Sequence, residues 1–361
     1  MNNHRLSIQG AVCPIPLQHD DQVLLGHGSG GKLSQNLIQK TFYPAFDNPY
    51  LLAGDDAGVI QLEIPGIGDT TKLKLAISTD SHVVAPLFFP GGDIGRLAIC
   101  GTVNDVAMMG AQPLYLTAGF ILEEGFAISD LEKILASMHY AAAEAGILVI
   151  AGDTKVVQKG KADGVYINTT GIGLIPANVD IHGSNARPGD LVILSGVIAE
   201  HGIAVLQARG ELGFTSGIVS DVQPVNHLVS AMLAVSHQIH VLRDPTRGGL
   251  ATTLNEIACQ SEVGIMIHEQ SIPIASAVMA ACEMLGFDPL YIANEGKLVA
   301  IISAEDAQAV LSAMRLIPAG KDAVIIGEVI ATPKGRVLGK TILGTTRVID
   351  IPSGEILPRI C

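Results

Sequence analysis

Basic and aromatic side chains are both scarce in this chain. Lysine and arginine total 22 against 35 aspartates and glutamates, for a formal net charge of -13, and aromatic residues make up 4%. That balance argues against a nucleic-acid binder, which needs a basic face. Cysteine is sparse too, and Cys13, Cys100, Cys259, Cys282 and Cys361 form neither a CxxC pair nor a zinc-ligand spacing. No apolar signal segment opens the sequence, and no apolar run is long enough to span a membrane. The expectation is a cytoplasmic protein without membrane or nucleic-acid partners, with Cys361 a free thiol and the other four cysteines structural or incidental.

What is present is glycine and apolar surface. Hydrophobic residues are 48% of the 361, there are 40 glycines, and charged residues are 16%. This is the composition of a compact α/β enzyme with many tight turns, and the length exceeds one typical core. Residues 1–22 are polar and irregular, with Cys13-Pro14-Ile15-Pro16 unable to form a helix, and read as an N-terminal arm. A first domain is expected over 23–176, a second over 177–350, and a mobile tail over 351–361.

The segment Gly26-His27-Gly28-Ser29-Gly30-Gly31-Lys32 nearly matches a P-loop, but Leu33 stands where the magnesium-binding hydroxyl belongs. The strand before it, Val23 to Leu25, is too short for a dinucleotide fold. Both motifs are rejected, although the bare amides of Gly28, Gly30 and Gly31 ahead of a helix can cradle phosphate oxygens.

Apolar runs that end in acids follow. Leu51 to Gly54 leads to Asp55-Asp56, Leu73 to Ser78 leads to Asp80, and Ile147 to Ala151 leads to Gly152-Asp153-Thr154-Lys155. A small-residue helix over Asp93 to Met109 carries Asn104-Asp105. A single aspartate is usually a turn or a cap. Four sites beside buried sequence point instead to a shared cation, and Mg²⁺ typically bridges carboxylates to nucleotide phosphates. Ser129-Asp130-Leu131-Glu132 reads as a capping box for a helix ending at Gly146. In the second half, a helix over Asn226 to His240 leaves His237 and His240 on its surface. Arg243-Asp244-Pro245-Thr246-Arg247-Gly248-Gly249 then opens a helix whose first turn can hold an anion. The sequence closes on a β-rich stretch from Arg336 to Ile351, a turn, and Pro358-Arg359-Ile360-Cys361. Those last ten residues could reach roughly 33 Å if extended. Alone, they fit a frayed terminus as well as an arm that swings a thiol-bound group.

The motifs around Asp55-Asp56, Ser78-Thr79-Asp80, Asn104-Asp105, Gly152-Asp153 and Arg243 to Gly249 resemble those of the aminoimidazole ribonucleotide synthetase, selenophosphate synthetase and thiamine-monophosphate kinase superfamily. The glycine segment, Asp153-Thr154-Lys155, Asn294-Glu295-Gly296-Lys297 and the closing Pro-Arg-Ile-Cys narrow the resemblance to the hydrogenase-maturation carbamoyl dehydratases, over Val23 to Cys361. Ala151, where many relatives carry glycine, is the one departure noted. The resemblance implies a two-domain α/β fold with an N-terminal ATP-binding and dimerising domain and a flexible tail. It implies Mg²⁺-ATP held by Asp55, Asp56, Asp80, Asn104, Asp105 and Asp153, with Asp244 a further metal ligand. It implies catalysis by Cys361, Lys155 and Glu295: the cysteine carries a carbamoyl group that ATP-dependent dehydration converts to a thiocyanate. The implied partners are a second copy of the chain, the carbamoyltransferase HypF, and a HypC–HypD iron scaffold that takes cyanide for NiFe hydrogenase. Two other readings stay open on the residues alone: a kinase or ligase for a small free substrate, in which the tail is irrelevant, and a non-catalytic scaffold that binds no nucleotide.

Overall fold

A computed structural model describes residues 22–28, 30–65, 70–210, 217–352, 357 and 359–361. Ser29, Pro358 and the N-terminal arm up to residue 21, Cys13 included, lie outside the described residues. Val23 to Leu25 is not a strand. A 3-10 turn, Leu25–Gly28, leads into short helices α1 (Lys32–Leu37), α2 (Tyr43–Phe46) and α3 (Pro49–Leu52). Pro49 suits a first helical turn, and the Asn48 side chain accepts from the Tyr50 and Leu51 amides to cap it. The apolar Leu51-Leu52 pair is therefore a surface helix at 38% and 49% exposure, not the buried run its composition suggests.

The first sheet is built from β1 (Gly58–Pro65) and β2 (Thr70–His82). Then come a small ladder of β3 (Phe88–Phe89) with β4 (Gly92–Asp93) and helix α4 (Ile94–Met108). Strand β5 (Gln112–Glu123), helix α5 (Ile128–Ala145), β6 (Leu148–Val157) and β7 (Val165–Ile175) complete the domain. The strand order is β1-β2-β7-β5-β6, with β5 and β6 the parallel pair at one edge. Helix α4 starts where Asp93 accepts from the amides of Gly95 and Arg96 at 2.7 and 3.2 Å. All of α4 is buried except Arg96 and Asp105. Small residues permit this. A Cβ on Gly101 would stand 3.0 Å from the His82 ring and 3.5 Å from Asp80 Oδ2, so glycine lets β2 bring both side chains against the helix. Gly101→Val is accordingly expected to push β2 outward, costing roughly 1–3 kcal/mol from overpacking. It should also weaken nucleotide binding, and thermal melting with calorimetric titration of ATP would check both; unchanged ATP affinity would contradict it.

Helix α5 begins two residues earlier than Ser129 predicts: Ala127 is the cap, its carbonyl already accepting from the Asp130 and Leu131 amides, and Ser129 is inside the helix. Its end is as expected, with Gly146 in the left-handed region at φ 72°.

The second sheet has seven strands in the order β14-β13-β10-β12-β8-β11-β9. They and the intervening helices run β8 (Leu191–Leu194), α6 (Glu200–Ala208), α7 (Asn226–Leu233), β9 (Ile239–Arg243), α8 (Gly249–Gln260) and β10 (Gly264–His268). Next come α9 (Ser276–Leu285), β11 (Val299–Ile302), α10 (Ala307–Met314), β12 (Val324–Ile330), β13 (Arg336–Lys340) and β14 (Thr346–Ile349). Strands β8 and β11, and the edge strand β9, are buried because helices cover both faces of the sheet, giving two core layers. Helix α7 stops at Leu233, sooner than expected, so His240 is not on a helix surface. It is buried in β9, with Nδ1 2.8 Å from Asp190 Oδ2, while His237 is exposed. The Ile-His-Val-Leu run is better satisfied as a buried edge strand paired with β11 than as a fourth helical turn. Among the described residues, no helix is long and apolar enough to cross a membrane.

Candidate functional site

The two domains meet over a polar cavity of about 290 Å³ whose lining comes from several separate stretches of chain. Asp56 arrives from the loop before β1, Asp80 from β2, and Asp105 from the cavity-facing side of α4. Asp244 follows β9 directly, and Glu295 sits in the loop before β11. The glycine segment closes one side through Gly28 and Gly30, and Cys361 closes another.

The carboxylates crowd each other. Burial, followed by repulsion from Asp244, Asp80 and Asp56, pushes Asp105 well above the ordinary carboxylate range, and the Ser78 hydroxyl donating at 2.7 Å offsets only part. Burial and then Asp56 do the same to Asp244. Burial, then Asp244, Asp80 and Asp221, raises Glu295, with Arg247 opposing. Asp56 is raised by burial despite its ion pair with Arg243. One oxygen each of Asp56, Asp244 and Glu295 is buried without a hydrogen-bond partner. Orphaned buried acceptors are rare and mark places where something cationic or a donor belongs. Among the described residues, no three carboxylate, histidine or cysteine side chains converge to enclose a metal unaided.

Other expected site residues are committed elsewhere. Asp55 accepts from His182 Nδ1 at 2.9 Å and from the Gly183 amide at 2.8 Å. Burial raises it, but these bonds and Arg243 hold it below the usual carboxylate range. It pins the loop at Gly183 and lines a separate outer pocket. Asn104 is buried and spent on main chain: it accepts from the Val225 amide at 2.8 Å and donates to the Gln223 carbonyl, with a longer contact to that of Glu295. Its place is behind the Glu295 loop. Gly31 caps α1, and Gly30, at φ 79°, turns its amide onto Ser34 Oγ at 2.9 Å.

Asp153 and Lys155 are not brought to the cavity within one chain. Both are in β6, side chains 72% and 71% exposed, paired with each other at 3.2 Å. The Lys155 hydrogen bond, then the Thr154 amide, lowers Asp153. Asp80 stands opposite Thr169, Thr169 opposite Ala118, and Ala118 opposite Gly152, so β6 is three strand spacings, about 14 Å, from Asp80. The sequence reading ended the strand before Gly152; the strand in fact continues to Val157 as the sheet edge.

Arg247, which the sequence reading left unassigned, belongs to the cavity wall. It lines this cavity and a neighbouring one of about 220 Å³, and so do Gly28 and Cys361. Cys361 first, then Asp80 and Glu295, hold its guanidinium in the charged form against burial. The signal was its position just before the Gly248-Gly249 start of α8, where positive helix-end and side-chain charge add. Burial pushes the Cys361 thiol up; Arg247 pulls it back, and Glu295, Asp80 and Asp244 push it further. A thiolate is disfavoured there.

The family model for the AIR synthase related protein N-terminal domain matches residues 54–175, and that for the C-terminal domain matches 187–340. The chain is 54% identical over 337 residues to carbamoyl dehydratase HypE of Cupriavidus necator, covering 93% of this chain and 94% of the relative. It is 44% identical to carbamoyl dehydratase HypE of Escherichia coli, covering 94% and 100%. A solved HypE–HypF complex contains a chain 48% identical to this one, with a TM-score of 0.82 over 88% of this chain and 99% of that one. A HypE structure in complex with ATP is 47% identical, with a TM-score of 0.77 over 94% and 100%. Thiamine monophosphate kinase from Aquifex aeolicus, 17% identical with a TM-score of 0.63, shares the fold over 88% of this chain and 99% of its own.

Proposed function

The chain belongs to the AIR synthase related family, in its carbamoyl dehydratase HypE branch, and from that premise we propose the following chemistry for its own residues. It dehydrates a carbamoyl group carried on the Cys361 sulfur to a thiocyanate at the expense of ATP. The observation that carries this reading is the position of Cys361, shared by the acid cavity and its neighbour and next to Glu295 and Arg247. A free-substrate kinase would need that space open, whereas here the tail occupies it.

The step balances as follows. The carbamoyl oxygen attacks the γ-phosphorus of ATP and ADP leaves. The C–O bond to phosphate then breaks as the two N–H protons are lost, leaving S–C≡N, ADP and phosphate. Asp56, Asp80, Asp105 and Asp244 are the set from which Mg²⁺ would take its one or two carboxylate ligands, and the ion would supply charge neutralisation to the phosphates when bound. Asp55 and Asn104 fix the loops that present this set. Gly28 and Gly30 border the cavity, the Gly30 amide being held by Ser34 Oγ, and Arg247 can compensate charge on the oxygen that leaves. Glu295, raised by burial and by its acidic neighbours, suits a group that takes up protons from the carbamoyl nitrogen. Burial disfavours the Cys361 thiolate at this position, and the thiolate is the nucleophile that accepts a carbamoyl group, so loading suits a tail outside the cavity. HypF would load it, and a HypC–HypD complex would take the cyanide.

Lys155 reaches this chemistry in the proposed reading only from a second copy. Its strand exposes Leu148, Ile150 and Val156 at 65%, 58% and 68%, an unpaired apolar edge that suits pairing between copies in a cytoplasmic homodimer. A mixed dimer of Lys155→Ala and Glu295→Gln chains tests this. If each site takes lysine from one copy and glutamate from the other, one intact site forms and about half of wild-type turnover per mixed dimer is expected. If both residues act within one chain, the mixed dimer is inactive. Sedimentation of a monomer alone at micromolar concentration would also contradict the reading.

A further inference from the structure

The tail is gripped chiefly by its main chain. The Val83 amide donates to the main-chain oxygen of Cys361 at 3.1 Å, and the Ala85 amide donates to that of Arg359 at 3.2 Å. The spacing is that of an added antiparallel strand. The intervening carbonyl, on Ile360, turns the other way and meets His201 Nε2 at 2.7 Å. Arg209 ties both sides together, Nε donating to the Ala85 carbonyl at 2.7 Å and Nη2 to that of Arg359 at 2.8 Å.

His201 is fully buried and its state follows from its partners. Ser220 Oγ accepts from the Val222 amide, so its own proton goes to His201 Nδ1 at 2.8 Å, leaving Nε2–H to donate to the tail. Burial lowers its pKa, in keeping with this neutral form. Two side chains of the tail are read as well. Arg359 Nη1 pairs with Asp163 Oδ2 at 2.6 Å. Ile360, 5% exposed, fills a socket beside Gly202, where an added Cβ would stand 3.3 Å from its methyl and 2.4 Å from Ile292. Arg359 holds φ 53°, the left-handed region that disfavours a residue with a Cβ, so the surrounding groups sustain that bend.

We propose that Val83, Ala85, His201 and Arg209 form a dock that fixes the tail in one register, with Asp163 and the Gly202 socket reading Arg359 and Ile360, so that whatever Cys361 carries enters the acid cavity. His201 and Asp163 are then positioning residues. They act on the tail, not on the reacting atoms. The assignment rests on the reading above for its consequence in turnover, but the dock itself can be tested without turnover.

The test is the rate at which iodoacetamide alkylates Cys361 in the full-length protein, followed by the mass of the C-terminal peptide. His201→Ala is expected to speed alkylation about tenfold, the factor that loss of one buried hydrogen bond makes in an opening equilibrium. His201→Gln, which keeps an amide donor, should stay within about threefold of wild type by the same measure. Asp163→Asn removes an exposed charge pair without touching the core, and about two- to threefold is expected. Both His201→Ala and Asp163→Asn should leave carbamoyl loading intact while slowing dehydration. Unchanged alkylation in both, with melting curves proving them folded, would overturn the dock. Faster alkylation with an undiminished dehydration rate would overturn its positioning role. Should the wild-type protein fail to dehydrate anything, the proposed function falls, and the alkylation rates still decide the dock.

Discussion

Asp244→Asn and Asp105→Asn are each expected to make the unliganded protein more stable and, in the same variant, to impair Mg²⁺-ATP binding severely. Both carboxyls are raised by burial and by acidic neighbours. The native state therefore holds protons that the unfolded chain has already released above the ordinary carboxylate range. Stability of the unliganded protein must then fall as pH climbs from that range toward the raised values. An asparagine keeps the size and the Ser78 contact at position 105 while removing the repulsion. The gain should be about 1–3 kcal/mol, as for relief of a buried unsatisfied group, and largest at the alkaline end. Nucleotide affinity has the opposite sign: Mg²⁺ needs the ionised acids, so binding expels protons and tightens with rising pH. Loss of one carboxylate should weaken it by about ten- to a hundredfold, the worth of roughly 1.5–3 kcal/mol for a charged contact. Melting curves across pH with and without Mg²⁺-ATP, together with titration calorimetry, would check both signs. Variants that melt lower and bind ATP as before would remove the carboxylates from the metal and phosphate site.

Much of this site is written in local sequence, and the part that is not depends on how strands are stacked. Asp56, Asp80 and Asp105 stood out because each follows or interrupts a buried element, and rigid elements deliver their ends to the same place; Asp244 and Glu295, which line the same cavity, were pointed to only by the family resemblance. Asp55 looked the same as Asp56 in sequence. Adjacent side chains point to opposite sides, and only the fold shows that one meets His182 and the other Arg243. Asn104 was misread as a ligand because its real partners, the Gln223 and Glu295 carbonyls and the Val225 amide, are more than a hundred residues away. The position of Lys155 depended on sheet order, which periodicity does not encode. Strand β6 carries apolar residues at an exposed edge, so its pattern reads as buried. His240 was assigned to a helix because Ile239 continued a helical spacing, and the strand that claimed it is selected by tertiary packing.

The largest single effect is expected from Cys361→Ala. The reaction needs a sulfur that can carry the carbamoyl group into the cavity, and among the described cysteines Cys100 and Cys282 are buried while Cys259 lies exposed at the Gly335 carbonyl. Burial raises Cys100 to about 12, which makes it a poor nucleophile. Loading and dehydration should therefore both disappear. Serine should not replace it, since a hydroxyl is far less nucleophilic near neutral pH. Folding and ATP binding should persist, because the acid cavity is built mainly from other elements. Glu295→Gln is expected to behave differently: loading continues, and dehydration slows by about 10²–10⁴-fold, the usual contribution of a positioned proton-transfer group.

The most direct measurement is the mass of the C-terminal peptide after incubation with a carbamoyltransferase, carbamoyl phosphate and Mg²⁺-ATP. Wild-type protein should gain one carbamoyl group on Cys361 and then lose one water, the dehydration forming one ADP and one phosphate in addition to the phosphate that carbamoyl phosphate releases on loading. Glu295→Gln should accumulate the first species. A Cys361→Ala protein that still acquires and dehydrates the group, or a wild-type peptide that keeps its carbamoyl while ATP is consumed, would contradict the account.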